Sequence, residues 1–164
     1  MSIRRLIAVS ILPLAGLLSA CTQAPVSPQG GAGVSSSTRA EANKRNALAF
    51  YDAFFNRHDL TAAQRYVAPG YIQHNPRVAS GRDAFVNAFT QIFARYPQRR
   101  STVHKAIADG DLVALHVHTV TGSDDRGMAI VDIFRFDGDG KIVEHWDVMQ
   151  PVPESTASGN GMFD

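Results

Sequence analysis

The feature that most restricts the fold is a period-two alternation filling the C-terminal half of the chain. Thr102–Ala108, Leu112–Thr121, Met128–Phe136 and Lys141–Met149 are rich in β-branched and aromatic residues set against polar ones, the pattern of strands. They are separated by "DGD" (Asp109–Asp111), "GSDDRG" (Gly122–Gly127) and "DGDG" (Asp137–Gly140), two of which carry the Asp-Gly dipeptide of tight turns. Short connections of this kind join neighbouring strands in antiparallel order, so the half reads as a meander. Such a sheet buries one face, and the rest of the chain has to supply the cover.

Upstream the period changes to that of a helix. Thr38–Glu41 has the spacing of a capping box, and Ala47, Phe50, Tyr51, Phe54 and Phe55 then recur on one helical face. A short helix is predicted from near Asp59 to just before Pro69-Gly70, followed by the hexapeptide "YIQHNP" (Tyr71–Pro76) leading into a loop. Ser80 is the expected cap of a second long helix, with Phe85, Phe89, Ile92, Phe93 and Tyr96 on one face and Pro97 as its stop. Helices first and a meander after them give an α+β class with the helices packed on one face of the sheet.

The first twenty residues stand apart. Arg4 and Arg5 precede an apolar run from Leu6 to Leu18, and small residues follow, which is the order of an export signal. The run is interrupted by Pro13 and is short for a membrane span of about 20 residues. Its end, "LSAC" (Leu18–Cys21), resembles a bacterial lipobox, which implies that Cys21 becomes the lipidated first residue and anchors the protein to a membrane facing the periplasm or cell exterior. Cys21 is also the only cysteine, so no internal disulfide forms. Residues 21–40 then read as the lipidated cysteine and a flexible Pro/Gly/Ser-rich linker, and 41–164 as one domain. Removing Arg4 and Arg5 lowers Lys+Arg from 16 to 14 against 15 Asp+Glu, and no basic patch points to nucleic acid.

Chemistry concentrates on the strands. His116 and His118 share one face of theirs, and Ile130, Asp132, Phe134 and Phe136 share one face of the next. If these sets meet beneath the helices, they line an aromatic pocket into which a carboxylate and imidazoles converge. Burial disfavours a charged carboxylate and a nearby imidazolium favours it. A carboxylate so placed can take a proton from carbon beside a carbonyl, or return one, without a cofactor. The same residues also permit a plain ion pair between Asp132 and His116 or His118. His116 and His118 with His74 or His145 and Asp132 have the ligand types of a metal site, but spacing fixes no third ligand and no metal is assigned. There is no G-x-S-x-G elbow, phosphate-binding glycine loop or H-E-x-x-H.

The order of elements, "YIQHNP" after two helices, "VALHVH" on a strand and above all "DRGMAIVDIFRFDGDGKIVEHWDVMQPVPE" (Asp125–Glu154) resemble the SnoaL-like polyketide cyclases of the nuclear transport factor 2-like superfamily. The resemblance covers about residues 41–164. It implies a curved antiparallel sheet forming a cone with the N-terminal helices on its concave face, a cofactor-free site inside, and often a homodimer through the outer sheet face. It carries the general acid/base role onto Asp132, with His116 as the strand histidine and His74 at the pocket mouth. Tyr71, Phe54, His118, Phe134 and Trp146 are the expected substrate-binding residues. In the last strand Glu144 and Trp146 share one face and His145 and Asp147 the other, and the inward set is left open. The implied activity is that of an aldol cyclase, lyase or isomerase on a small carbonyl compound. A module that only binds a small apolar ligand, and an interaction protein using the outer face, are the alternatives. Met162 and Phe163 in the polar tail are expected to dock on the domain or on a partner subunit.

Overall fold

The computed structural model describes residues 32–164; the stretch expected to be an export signal and Cys21, expected to be lipidated, lie outside them. Helix α1 (Ala32–Phe50) runs into a π-helical turn (Tyr51–Asn56), then come α2 (Ala62–Tyr66), strand β1 (Val67–Gln73), α3 (Arg82–Arg95) and strands β2 (Arg100–Asp109), β3 (Leu112–Val120), β4 (Met128–Phe136) and β5 (Ile142–Pro151). The five strands form one sheet in the order β1-β5-β4-β3-β2. The last four make the antiparallel meander, and β1 joins it in parallel beside β5. Among the described residues, no helix is long and apolar enough to cross a membrane.

Three local expectations are corrected. α1 begins at Ala32, inside the stretch read as linker, so Thr38 sits within the helix rather than at its cap. β1 was not expected, because Pro69-Gly70 interrupts it; an edge position tolerates a residue with no N–H to donate. Gly81, with φ of 98°, occupies the N-cap of α3 without a side-chain cap, while Ser80 Oγ instead accepts the Gln73 N–H at 3.1 Å. That bond ties the start of α3 to the end of β1.

The cover is aromatic. Phe50, Phe54 and Phe55 from α1 and its π turn interlock with Phe85, Phe89 and Phe93 of α3, and Phe54 stacks on Phe85 with ring centroids 4.8 Å apart. Beneath them lie Val113, Leu115 and Val117 of β3 and Phe134 and Phe136 of β4, all buried. Asn56 exchanges two hydrogen bonds with the Ser101 backbone, at 2.9 and 2.8 Å, and so fixes the π turn against β2. Register shifts at Val103/Lys105 and Arg135/Phe136 are bulges, which bend the strands that carry them and curve the sheet around this core.

The outer face of the sheet carries a different set. His118 is stacked at 4.5 Å on Phe163 of the C-terminal tail, which also meets His104 at 4.7 Å and His116 at 5.3 Å. Lys105 Nζ donates to the Asp164 carbonyl at 3.0 Å. The tail therefore docks on its own domain. Its cover, together with the positive charges of Lys105 and of His104 when protonated, lowers the proton affinity of His116 below the ordinary value of 6.5, with desolvation the largest cause. A histidine favoured as neutral in the folded state contributes stability that is complete above 6.5 and lost as pH falls through its lowered folded value. Phe163→Ala is thus expected to cost on the order of 1 kcal/mol and to return the His116 titration toward its ordinary range. Histidine-resolved NMR titration checks this; an unmoved His116 midpoint would show that the tail does not shield it.

Candidate active site

A cavity of about 240 Å³ opens between the sheet, the π turn and α3. Asp132 reaches it from the middle of β4, as the alternation of that strand predicts, and is buried. β4 and β5 pair with Asp132 opposite Asp147 and Phe134 opposite His145, so the register turns His145 and Asp147 inward. This decides the face that the sequence left open.

The polar groups form a connected chain. Tyr51 Oη donates to Asp132 Oδ2 at 2.7 Å, and His145 Nε2 lies 2.8 Å from Asp132 Oδ1. His145 Nδ1 lies 2.8 Å from Gln73 Oε1, which also accepts the Asn75 N–H at 2.9 Å. A backbone N–H requires an acceptor, so the Gln73 group facing both partners is its oxygen and His145 Nδ1 carries a hydrogen. The contact between His145 Nε2 and Asp132 Oδ1 then holds one further proton, resident on either atom. Gln73 Nε2 donates to Tyr71 Oη at 2.9 Å, which leaves the Tyr71 O–H available to the cavity. Asn75 Nδ2 spans both oxygens of Asp147, at 2.9 and 2.7 Å.

The π turn is what aims Tyr51. A π-helical turn widens the helix by one residue per hydrogen bond and is often found where a side chain has to be redirected at a functional site. Burial, and then the adjacent Asp132 charge, push the Tyr51 phenol well above its ordinary range; Tyr71 is raised by the same causes in the same order. Both stay protonated donors. Phe134 packs against the His145 ring, with centroids 5.0 Å apart and the planes inclined by 29°, and restrains it.

The expected residues separate accordingly. Asp132, Tyr71 and Phe134 come together at the cavity. His116 and His118 do not, because β3 pairs Leu115 with Asp132 and so turns Val113, Leu115 and Val117 inward and the two histidines outward. The bulkier apolar set takes the buried face. The metal reading built on His116 and His118 loses its geometry by the same register. Phe54 is fully buried in the aromatic core and does not line the cavity. His74 and Trp146 lie on the outer face, stacked at 4.8 Å and 2°, with His74 also 2.8 Å from Glu144, which Arg135 holds at 2.9 Å. These two belong to an outer ladder of alternating charge and aromatic rings.

Tyr51, Gln73, Asn75 and Arg99 are not singled out for the cavity by sequence, and His145 and Asp147 stand there only as one of two possible inward faces of β5. Tyr51 belongs by spacing to the apolar helical stripe, and Gln73 and Asn75 carry no local signal beyond their place in "YIQHNP". Asp132, His145 and Asp147 also place imidazole and carboxylate ligand atoms within 4.8 Å of one another. A divalent ion bound there would replace the proton between Asp132 and His145.

The sequence model of the SnoaL-like domain matches residues 47–145. No curated protein matches the chain. Solved structures do: TsrD from Streptomyces laurentii at 20% identity, covering 66% of this chain and 89% of that one with a TM-score of 0.56. A SnoaL-like protein of unknown function from Burkholderia thailandensis matches at 18%, covering 67% and 95% with a TM-score of 0.58. IdmH from Streptomyces antibioticus, a candidate polyketide cyclase, matches at 23%, covering 66% and 91% with a TM-score of 0.53. At these identities the likeness is one of fold.

Proposed function

We propose, from the premise that the chain belongs to the SnoaL-like domain family, that it is a cofactor-independent acid/base enzyme acting on a small carbonyl compound. The observation that carries this reading is the 2.8 Å contact between Asp132 Oδ1 and His145 Nε2 at the wall of a small aromatic cavity, a contact that needs one proton. The pair takes a proton from the carbon beside the substrate carbonyl, and the electrons of that C–H bond become the enolate. Tyr71 O–H donates to the enolate oxygen, a charge that develops only as the proton leaves and is therefore stabilised where it accelerates the step. The proton returns at another carbon in an isomerisation, or the enolate attacks a second carbonyl in an aldol closure, with the pair reprotonating the new alkoxide.

Tyr51 is a positioning residue. It fixes one oxygen of Asp132 and leaves the other to His145. The cavity, at about 240 Å³, falls below the roughly 300–1,000 Å³ usual for drug-sized ligands. It favours a compact substrate.

Deuterium incorporation from D₂O beside the carbonyl of small ketones and keto acids, followed by ¹H NMR, tests the reaction class without knowledge of the product. Exchange above the buffer rate is expected with a subset of them. A panel that exchanges no faster with the protein than without it would leave the chain as a ligand-binding module.

A further inference from the structure

We propose that Arg99 determines the specificity of this cavity and that the substrate carries a carboxylate, held by the Arg99 guanidinium while Asp132 and His145 act on the carbon skeleton. This rests on the acid/base reading of the cavity and adds the substrate class to it. Arg99 stands between α3 and β2 and lines the same cavity as Asp132. Its guanidinium lies over the rings of Phe55 and Phe89, at 5.5 and 5.8 Å. Among the described residues, Arg99 Nη1 is the one buried side-chain polar atom with no hydrogen-bond partner.

A buried cation is costly unless a counter-charge and hydrogen-bond acceptors meet it. The aromatic faces attract the charge but accept no bond in the guanidinium plane. The carboxylates of the cavity are engaged elsewhere: Asp132 by Tyr51 and His145, and Asp147 by Asn75. Neither forms an ion pair with Arg99. The Arg99 guanidinium makes no hydrogen bond to the described residues of the protein and lines the cavity, so a ligand there can bring the missing acceptors, and a planar carboxylate matches the guanidinium fork best. Burial also draws the proton affinity of Arg99 down from its ordinary value, opposed in part by the nearby Tyr51 and Asp132, and a bound anion would add to that opposition. Arg77 also lines the cavity but is exposed, whereas Phe85, Phe89, Ile92 and Ile130 form the apolar part of the wall, which suits a compact apolar body on the ligand.

Calorimetric titration of the full-length protein with benzoate and cinnamate, and with benzamide and cinnamamide as neutral isosteres, tests this. Carboxylates are expected to bind the wild type at least tenfold more tightly than the amides, as a lost charge-assisted hydrogen bond implies. Arg99→Gln should erase that difference and Arg99→Lys restore part of it. If the amides bind as well as the acids, if neither acid binds, or if Arg99→Gln keeps the preference, the assignment is overturned. The acid/amide comparison on the wild type decides the matter even where a variant does not fold. Asp132→Asn should keep carboxylate binding while losing proton exchange, so failure of the carboxylate assignment and failure of the acid/base reading give different results.

Discussion

Asp132→Asn is expected to lower deuterium exchange beside the substrate carbonyl by about 10²–10⁴-fold, the range that a positioned acid/base contributes, with little change in melting temperature. The substitution keeps the shape of the side chain. Its amide oxygen still accepts from Tyr51 Oη, and its amide N–H donates to His145 Nε2, whose other nitrogen keeps its hydrogen on Gln73. The network stays satisfied and loses only the mobile proton. Asp132→Ala differs, because it strands the Tyr51 hydroxyl and a ring nitrogen of His145 in a buried site at about 1–3 kcal/mol each. Comparing turnover and thermal unfolding of the two variants separates chemistry from stability. Equal exchange by Asp132→Asn and wild type would remove Asp132 from the reaction.

The largest expected loss of stability comes from Phe54→Ala. Phe54 is 0% exposed and contacts rings from its own helix and from α3, including Phe50, Phe55, Phe85 and Phe93. Truncation removes the contacts and leaves a cavity the rigid neighbouring rings cannot close, at about 3–5 kcal/mol, or on the order of 10 °C or more in melting temperature. Because Phe85 and Phe89 also line the active cavity, the remaining folded fraction should bind cinnamate more weakly as well. A change below about 1 kcal/mol by chemical denaturation would mean that the aromatic cluster is not the centre of the core.

The architecture was legible because its signals are local. Strand alternation and Asp-Gly turns located β2 to β5, and helical spacing located both aromatic faces. β1 was hidden by Pro69-Gly70 in a sequence that reads as a break until its edge position is known. The site was harder, since it depends on register. Asp132 could be found from its own strand, because a lone carboxylate among Ile130, Phe134 and Phe136 conflicts with its neighbours. His116 and His118 drew attention as chemistry, yet Val113, Leu115 and Val117 on the other face of the same strand were the better claim to burial. In β5 both faces mix aromatic and charged residues, and only pairing of Phe134 with His145 decides between them. Tyr51 and Gln73 are long-range partners, 81 and 72 residues from the groups they bond, and nothing local announces such contacts.

In the proposed mechanism one mobile proton is shared by Asp132 and His145. ¹⁵N NMR of the His145 ring, recorded across the pH range over which the protein stays folded, measures it directly. Nδ1 is expected to be protonated throughout, fixed by Gln73, while the Nε2 resonance lies between the protonated and unprotonated limits and moves to the unprotonated limit in Asp132→Asn. A ring with Nδ1 unprotonated and a fixed hydrogen on Nε2 would contradict it, leaving Asp132 and His145 a structural ion pair.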